Sequence, residues 1–140
     1  MAEIHMGNDR ELFGDTEPGL PLYEGRMVGQ YDHRAKAYRS GRGRAAVWEE
    51  LPFGHPSKDI VPQWQVPEQN IPSKLGSRHR RYRIGFNDIA RPDTTRSLIA
   101  ALVPPDVICG HGVPTIAFEP SYEWAYMPWL AVANSFCMDF

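Results

Sequence analysis

The segment RYRIGF at residues 81–86 gives the clearest structural signal in the chain. Arginine or glycine occupies every second position from Arg81 onward, and aromatic or apolar residues occupy the positions between them. Because successive side chains of a strand point to opposite faces, this alternation predicts a half-buried strand. Its exposed face should carry Arg81 and Arg83. We therefore expect a β-sheet in the core of the fold.

The residues that follow predict further short strands. The segment NDIARPD at 87–93 contains the Asn, Asp and Pro that favour a turn. The apolar run in 94–105 fits either a short helix capped by Thr95 or a buried strand, and we prefer the strand. Two more short strands are predicted within 106–120, on either side of a Gly-His-Gly sequence.

The N-terminal half has weaker signals. Residues 1–20 are expected to form an irregular lead-in, and the mixed apolar pattern of 20–39 fits strand, turn and strand. Pro and Gly recur throughout residues 39–78, which predicts a long, loop-rich segment with short extended pieces.

The C-terminal segment WLAVANSFCMDF at 129–140 is the best helix candidate. It has neither a cap nor a stop signal, so we expect the chain to be a piece of a longer protein. Helical spacing places four residues on one face of this helix: Leu130, Ala133, Phe136 and Cys137.

Composition bounds the fold class. The chain has 140 residues, the size of one domain, and its 13 Pro and 12 Gly argue against a helical bundle. We predict a single α+β domain over 1–140: mainly short strands in a mixed or antiparallel sheet, one or two helices, and the loop-rich middle segment.

The sequence also favours a location. Two cysteines are too few for a disulfide framework, which suits a reducing compartment. No apolar run approaches the roughly 20 residues of a membrane helix. We expect a cytoplasmic protein with no membrane partner.

Positive charge is concentrated although the formal net charge is only -2. Eight of the ten residues in two basic blocks are arginine, whose planar guanidinium can grip a phosphate or a guanine edge with two hydrogen bonds. The alternative is a solvated face that keeps the protein in solution, but the clustering favours nucleic-acid contact. The blocks are Arg34, Lys36, Arg39, Arg42 and Arg44, and Lys74, Arg78, Arg80, Arg81 and Arg83.

Catalytic signatures are weak. The sequence has no phosphate-binding loop, and Cys109 and His111 belong to no repeated metal-ligand spacing. Asp32 and His33 could form an acid–base pair, but adjacent strand residues face opposite ways, so solvent contact or a hydrogen bond that orders the basic loop is the better interpretation. We predict no catalytic residue, no metal and no cofactor in this chain.

Four blocks in order resemble a known family: HMGNDRELF (5–13), LPLYEGRMVGQYDHRAKAY (20–38), the segment from RYRIGF to VPTI (81–116) and WLAVANSFCMDF (129–140). They resemble the region after the catalytic domain in adenine-specific DNA methyltransferases of fused, type IIG-like restriction-modification enzymes and related phage-defence methylases. Similar blocks there read "HMTND", "PLYEGKMIHQFDHR", "GFRDIAR" and "LNSFVFDY". The chain departs from this pattern at Val28-Gly29, where Ile-His is usual, and at Asn87, where Arg is common.

The resemblance implies a target-recognition domain. Such a domain docks on duplex DNA while a methyltransferase catalytic domain, in cis or in trans, flips and methylates an adenine. S-adenosylmethionine (SAM) would bind in that catalytic domain of the parent enzyme. The resemblance places Glu24 and Asp32 at the edge of the DNA-facing surface, Asp88 in a structural turn beside it, and sequence reading in the variable stretch 42–80.

The two basic blocks and the resemblance to the methyltransferase family together give the predicted set of DNA-binding residues. It comprises Arg26, His33, Arg34, Lys36, Arg39, Arg42, Arg44, Lys74, Arg78, Arg80, Arg81, Arg83 and Arg91.

Two other function classes stay open. Tyr122, Trp124, Tyr126 and Trp129 cluster without a basic neighbour, which is typical of a core or of a surface that closes on a partner. The chain could thus be a protein-interaction module that packs on a partner domain through this aromatic C-terminal segment. A small enzyme with an unrecognised site is the third possibility.

Overall fold

The computed structural model describes residues 1–89 and 96–139. Most of the predicted turn at 87–93, with Arg91, lies outside the described residues. The ordered elements are short strands, several 3-10 turns and one α-helix. They are β1 (Leu20–Tyr23), β2 (Lys36–Ser40), β3 (Val47–Glu50), β4 (Trp64–Val66), β5 (Arg83–Phe86), β6 (Ala100–Val103), β7 (Ile108–Cys109), β8 (Thr115–Ile116) and α1 (Tyr126–Ala133).

The strands form three small sheets. In the first, β1 lies between β4, to which it is antiparallel, and β7, to which it is parallel. The second sheet is the antiparallel pair β2–β3. In the third, β5 is central and antiparallel to both β6 and β8. The predicted α+β class is confirmed, as are the strand at 94–105 and the two strands around Gly-His-Gly.

Side-chain alternation on the strands divides the core into layers. Leu22 of β1 packs into one apolar cluster with Trp64 and Val66, whereas its neighbour Tyr23 packs into a second cluster. The third sheet separates that second cluster from a third, in which Ile84 lies against helix α1. The first and third sheets therefore each bury both faces, which short strands with few polar positions can do.

The prediction that the strand at 81–86 exposes a face carrying Arg83 is wrong. Arg83 is 0% exposed, and Ile84 and Gly85 beside it are also buried. Gly85 is required because a Cβ there would lie 2.6 Å from Val103 Cγ2. The strand is central in its sheet and covered on both sides, so its alternation separates two buried faces.

The first residues of the chain cover Arg83 and neutralise it. Arg83 Nε lies 3.0 Å from Oε1 of the fully buried Glu3, as an ion pair, although Nε makes no hydrogen bond to a described residue. The two Nη atoms donate to the carbonyl oxygens of Arg78, Arg81 and Val107.

Glu3 in turn accepts hydrogen bonds from two strands. Its Oε2 accepts from the Cys109 backbone N–H at 2.8 Å, and its Oε1 accepts from the Thr115 hydroxyl at 3.0 Å. Ile4 forms a bridge to Gly110 at the end of β7. The start of the predicted irregular lead-in is therefore part of the core. Its Glu3 carboxylate neutralises the buried Arg83 guanidinium.

The helix predicted over 129–140 is only partly correct. Helix α1 begins earlier, at Tyr126, and ends at Ala133, followed by a 3-10 turn at Phe136–Asp139. Asn134 accepts a hydrogen bond from the Ala100 N–H and donates one to its carbonyl oxygen, which fixes the helix end against β6. Leu130 and Ala133 are buried as predicted, but Cys137 is exposed because the helix stops before it.

Replacing Glu3 by Gln should destabilise the fold by about 3–5 kcal/mol, because the substitution leaves the buried Arg83 guanidinium without its counter-charge. Urea unfolding followed by circular dichroism would measure the loss. Glu68→Gln, at an exposed position, is the control and should change stability by less than about 0.5 kcal/mol. Equal stability of the two variants would contradict a structural role for the ion pair.

Candidate nucleic-acid interface

The two-stranded sheet β2–β3 forms a ribbon whose strands pair only with each other among the described strands. Lys36 lies opposite Glu50, and Tyr38 lies opposite Trp48, with a bulge between Tyr38 and Ser40. Residues 41–46 connect the strands at the tip of the ribbon. This ribbon is mostly exposed, in contrast to the other two sheets.

The tip is built by two glycines with left-handed backbone. Gly41 has φ of +79° and Gly43 has φ of +55°, which other residues adopt only with strain. The Tyr38 hydroxyl donates to the Gly41 carbonyl oxygen at 2.6 Å and fixes the first side of the turn. The turn thus holds Arg42 and Arg44 next to glycines, where a partner can approach the backbone closely.

Most of the first basic block is paired with acids that the sequence places elsewhere. Arg39 pairs with Glu49 across the ribbon, and Lys36 Nζ lies 3.1 Å from Glu50 Oε1. These pairs are solvent-exposed, so each stabilises the fold by at most about 1 kcal/mol and can exchange its partner easily.

The arginines at the tip differ from each other. Arg42 pairs with Asp15 from the N-terminal segment, and its side chain remains 71% exposed. Arg44 is exposed and makes no ion pair or hydrogen bond with the described residues. The tip therefore carries one neutralised and one available guanidinium.

Asp32 and Arg34 form a network that orders the loop before β2. Asp32 pairs with the buried Lys58, whose Nζ also donates to the Arg34 carbonyl oxygen at 3.2 Å. Arg34 donates from its guanidinium to the Lys58 carbonyl oxygen and from its backbone N–H to Asp32 Oδ1 at 2.9 Å. Desolvation acts to raise the pKa of Asp32, but the hydrogen bonds from Lys58 and Arg34 outweigh it and the pKa is lowered.

His33 belongs to the same loop but faces the core. Its Nδ1 lies 2.7 Å from the hydroxyl of the buried Tyr23. Burial and the nearby Arg34 charge lower the pKa of His33 to about 4. No hydrogen bond joins the His33 ring to Asp32 in the described structure, so the two are partners in ordering the loop rather than an acid–base pair. His33 and Arg34 are thus both engaged by partners inside the protein rather than available at the candidate interface.

The second basic block does not form one surface either. Arg83 is buried, and Arg78 Nη2 donates to the Thr115 carbonyl oxygen at 2.8 Å. Arg81 donates to the Phe118 carbonyl oxygen and lies 3.4 Å from Glu123. Lys74 and Arg80 remain exposed, without an ion pair to a described residue. Three arginines of this block therefore hold the β5–β8 region together.

A cavity of about 640 Å³ lies beside the ribbon, and Lys36, Ala46 and Trp48 of the ribbon contribute to its lining. Segments far apart in the sequence contribute to it, which is why no local pattern could have predicted it. The Arg26 guanidinium carbon lies 5.3 Å from the centre of the Trp48 ring, and its Nε lies 3.9 Å from Glu24 Oε2. Burial raises the pKa of Glu24, and the charge of Arg26 offsets part of that rise. The lining includes Tyr23, Glu24, Arg26, Trp48, Asn87 and His111.

The Cys-Gly-His sequence has a structural role. Cys109 is fully buried, and burial followed by the charge of Glu3 raises the pKa of its thiol to about 12. The ring of His111 stacks on His5 at 4.5 Å, and its Nδ1 accepts the Met6 N–H at 3.1 Å. Within 1–89 and 96–139 there is no group of three His, Cys, Asp or Glu residues placed to hold a metal ion.

The aromatic C-terminal cluster is divided between core and surface. Tyr126 is buried, and its hydroxyl donates to the Tyr82 carbonyl oxygen at 2.7 Å. Tyr122, Trp124 and Met127 are 58%, 71% and 56% exposed, which leaves an apolar surface around the start of α1. In the part of the chain that the structure describes, no helix has the length and apolar character needed to span a membrane.

Comparison of the chain with protein-family models, curated proteins and solved structures gives no significant match.

The His33–Tyr23 contact predicts a pH dependence of stability. The unfolded chain binds a proton at His33 near pH 6.5, but the folded protein does so only near pH 4. Between these values the unfolded state holds more protons, so the free energy of unfolding should fall as the pH falls from 6.5 to 4. His33→Asn removes this titration and should show a shallower decline in denaturant unfolding measured across that range.

The comparison of the two proteins isolates His33. His79, whose pKa burial also lowers, and Glu24 titrate in both and cancel in the difference. Parallel stability curves for wild type and His33→Asn would contradict the assignment of a neutral, half-buried His33.

Proposed function

We propose that the chain is the target-recognition domain of a restriction-modification adenine-N6 DNA methyltransferase, and that the β2–β3 ribbon is its DNA-contacting element. The observation that carries the proposal is the separate two-stranded ribbon with Arg42 and Arg44 exposed at its tip. The major groove of B-DNA admits a two-stranded β-ribbon, and arginine can bind O6 and N7 of guanine with two hydrogen bonds.

The position of the ribbon agrees with the sequence expectation. The resemblance implies sequence reading within 42–80, and the tip and β3 begin that stretch. In this proposal Arg42 and Arg44 contact phosphates or base edges at the tip, while Lys36 and Arg39 along β2 exchange their exposed acid partners for phosphates. This exchange costs little free energy because the exposed ion pairs are weak.

The remaining parts of the proposal follow from the resemblance. Methylation belongs to a catalytic domain that binds SAM, and the present chain supplies DNA recognition to it in the cytoplasm. The DNA-binding set predicted from the sequence is narrowed to the ribbon: Arg83 is buried, Arg34, Arg78 and Arg81 are bonded within the protein, and Lys74 and Arg80 lie outside the ribbon.

The exposed apolar surface favours a second candidate function. Trp124 and Met127 are more than half exposed on neighbouring turns, and such patches commonly mark interaction sites. A protein-interaction module would dock a partner domain here, and this role is compatible with DNA binding by the ribbon.

Removal of the tip arginines should weaken duplex DNA binding and flatten its salt dependence. For Arg42→Ala and Arg44→Ala, each lost phosphate contact should reduce the slope of log Kd against log salt concentration by about 1. If Arg42 reads a base instead, Arg42→Ala should change the preference among duplex sequences. Fluorescence anisotropy with labelled duplexes across a salt titration measures both effects.

Lys74→Ala is the charge-matched control, because Lys74 is exposed but lies outside the ribbon. A salt slope, an affinity and a sequence preference that are all unchanged in both tip variants would contradict the ribbon as the DNA-contacting element. Equal effects from Lys74 and the tip arginines would show that the contact is spread over the surface.

The apolar surface should cause weak self-association at high protein concentration. The double variant Trp124→Ser and Met127→Ser should lower the apparent mass measured by static light scattering, because it removes exposed apolar area. Val47→Ser, which removes a 55% exposed apolar side chain on the ribbon, is the control. Equal apparent masses of the double variant and Val47→Ser would contradict self-association through the apolar C-terminal surface.

A further inference from the structure

Two backbone hydrogen bonds show which way the peptide groups of β3 point. Tyr38, which lies opposite Trp48 in the ribbon, donates its backbone N–H to the Val61 carbonyl oxygen at 2.9 Å, on the side away from β3. Leu51, just after β3, donates its backbone N–H to the Ala35 carbonyl oxygen at 2.9 Å, on the side toward β2. Opposed residues of an antiparallel ladder alternate between bonded and non-bonded pairs, so these two bonds fix the whole pattern.

The outer edge of β3, which faces away from β2, therefore carries the peptide groups of two residues. The pairs Tyr38–Trp48 and Lys36–Glu50 are the non-bonded ones, so Trp48 and Glu50 direct their backbone N–H and C=O groups outward. Neither peptide group makes a backbone hydrogen bond with a described residue. Val47, Glu49 and Glu50 are exposed, which leaves this edge open to solvent.

The edges of the other two sheets are bonded to segments of the same chain. Bridges cover the first sheet at β4 and beside β7, and hydrogen bonds cover the third sheet at β8 and β6. The residues that make these contacts are Gly14, Ile4, Met1 and Asn134, respectively. An open strand edge is a template for pairing with another strand, so the outer edge of β3 is a site where a strand can be added.

Both ends of this open edge are closed by residues that cannot donate. In the alternation, the residue before Trp48 is Ala46, whose N–H already donates to the Gly43 carbonyl oxygen at 3.3 Å. The residue after Glu50 is Pro52, which has no N–H. The open edge therefore offers two N–H donors and no more.

A second copy of β3 matches this edge in an antiparallel arrangement. When Trp48 lies opposite Glu50 of the second copy, the two residues exchange both hydrogen bonds, and two-fold symmetry repeats the exchange at the other pair. All four N–H donors of the two edges are then bonded. The same register places Ala46 opposite Pro52 of the second copy, where neither residue has an N–H that needs a partner.

The charges of the two edges are compatible with this register. Glu49 lies on the two-fold axis, opposite Glu49 of the second copy, and like charges in this position are unfavourable. In each copy, however, Arg39 pairs with Glu49 across the ribbon. The row across four strands is then arginine, glutamate, glutamate and arginine, which has no net charge.

We propose that the chain forms a dimer in which β3 pairs antiparallel with β3 of a second copy, giving a four-stranded sheet in the order β2–β3–β3–β2. The dimer is closed, because Tyr38 in the outer edge of β2 is already bonded to Val61. Residues 41–45 of the two tips lie outside the shared ladder, at its opposite ends. The proposal therefore does not rest on DNA binding by Arg42 and Arg44.

Sedimentation equilibrium over a range of protein concentrations measures the dissociation constant of the dimer. Glu50→Pro removes an outward N–H from each copy, hence two of the four hydrogen bonds, but no bond within the ribbon. Glu50→Ala is the matched control, because it removes the same carboxylate and keeps the N–H. The Glu50→Pro dimer should be weaker by at least about tenfold. Both proteins also carry Trp124→Ser and Met127→Ser, which removes association through the apolar C-terminal surface.

Disulfide cross-linking tests the register without a proline in the ribbon. Glu49→Cys places two thiols at the two-fold axis with Cα atoms about 4.5 Å apart, within disulfide range. Val47→Cys places them roughly 14 Å apart, because four residues of strand separate them along the sheet. Both variants carry Cys137→Ser, which removes the exposed native thiol, whereas Cys109 is buried. In air, Glu49→Cys should form a covalent dimer and Val47→Cys should remain monomeric.

The two experiments together decide the proposal. A protein that is monomeric at every concentration and cross-links equally slowly in both cysteine variants would overturn it. A dimer of equal strength in Glu50→Pro and Glu50→Ala would place the interface elsewhere and would also overturn it. Val47→Ser keeps all four backbone hydrogen bonds, so it should dimerise nearly as strongly as the wild type. None of these outcomes bears on the salt dependence of duplex binding by the tip arginines.

Discussion

The ion pair between Glu3 and Arg83 is the constraint on which the rest of the structure depends. It joins the first residues of the chain to the central strand of the third sheet, and Glu3 also binds the backbone of β7 and the first residue of β8. A buried guanidinium is tolerable only with a counter-charge and hydrogen bonds to its remaining donors, and Arg83 has both. The N-terminal segment is thereby fixed between the two sheets.

Local sequence patterns were sufficient to predict most strands. They did not predict whether the charged side chains on those strands are buried or which residues pair with them. The alternation at 81–86 and the turn formers around 106–120 act between near neighbours, so the sequence indicates them directly. The position of Arg83 could not be predicted, because what covers it comes from residue 3. The helix was predicted too long for a similar reason: its end is set by Asn134 binding β6, and helical periodicity continues past that point.

The predicted DNA-binding interface also depends on residues that are distant in the sequence. The sequence shows two basic blocks without acids, but folding brings Asp15 to Arg42, Glu49 to Arg39 and Glu123 to Arg81. A block of positive charge in the sequence is therefore not a patch of positive charge on the surface. Among the described residues of the two blocks, Arg44, Lys74 and Arg80 stay exposed without an ion pair. The backbone geometry of Gly41 and Gly43 holds the arginines of the ribbon tip away from the core.

The exposed ion pair between Arg42 and Asp15 at the tip affects how the proposed DNA-binding surface would discriminate between sequences. An arginine that is paired with a carboxylate gains little binding free energy from a poorly placed phosphate, because it exchanges one weak ion pair for another. It gains more where a guanine edge offers two well-placed acceptors, because the bidentate geometry adds to the charge. Arg42, paired with Asp15, would therefore contribute less to non-specific affinity than the unpaired Arg44, and more to selection among sequences. In the proposed DNA-binding role, the acids that folding brings to the ribbon would favour specificity over affinity, a balance that suits a domain that must leave incorrect sites quickly.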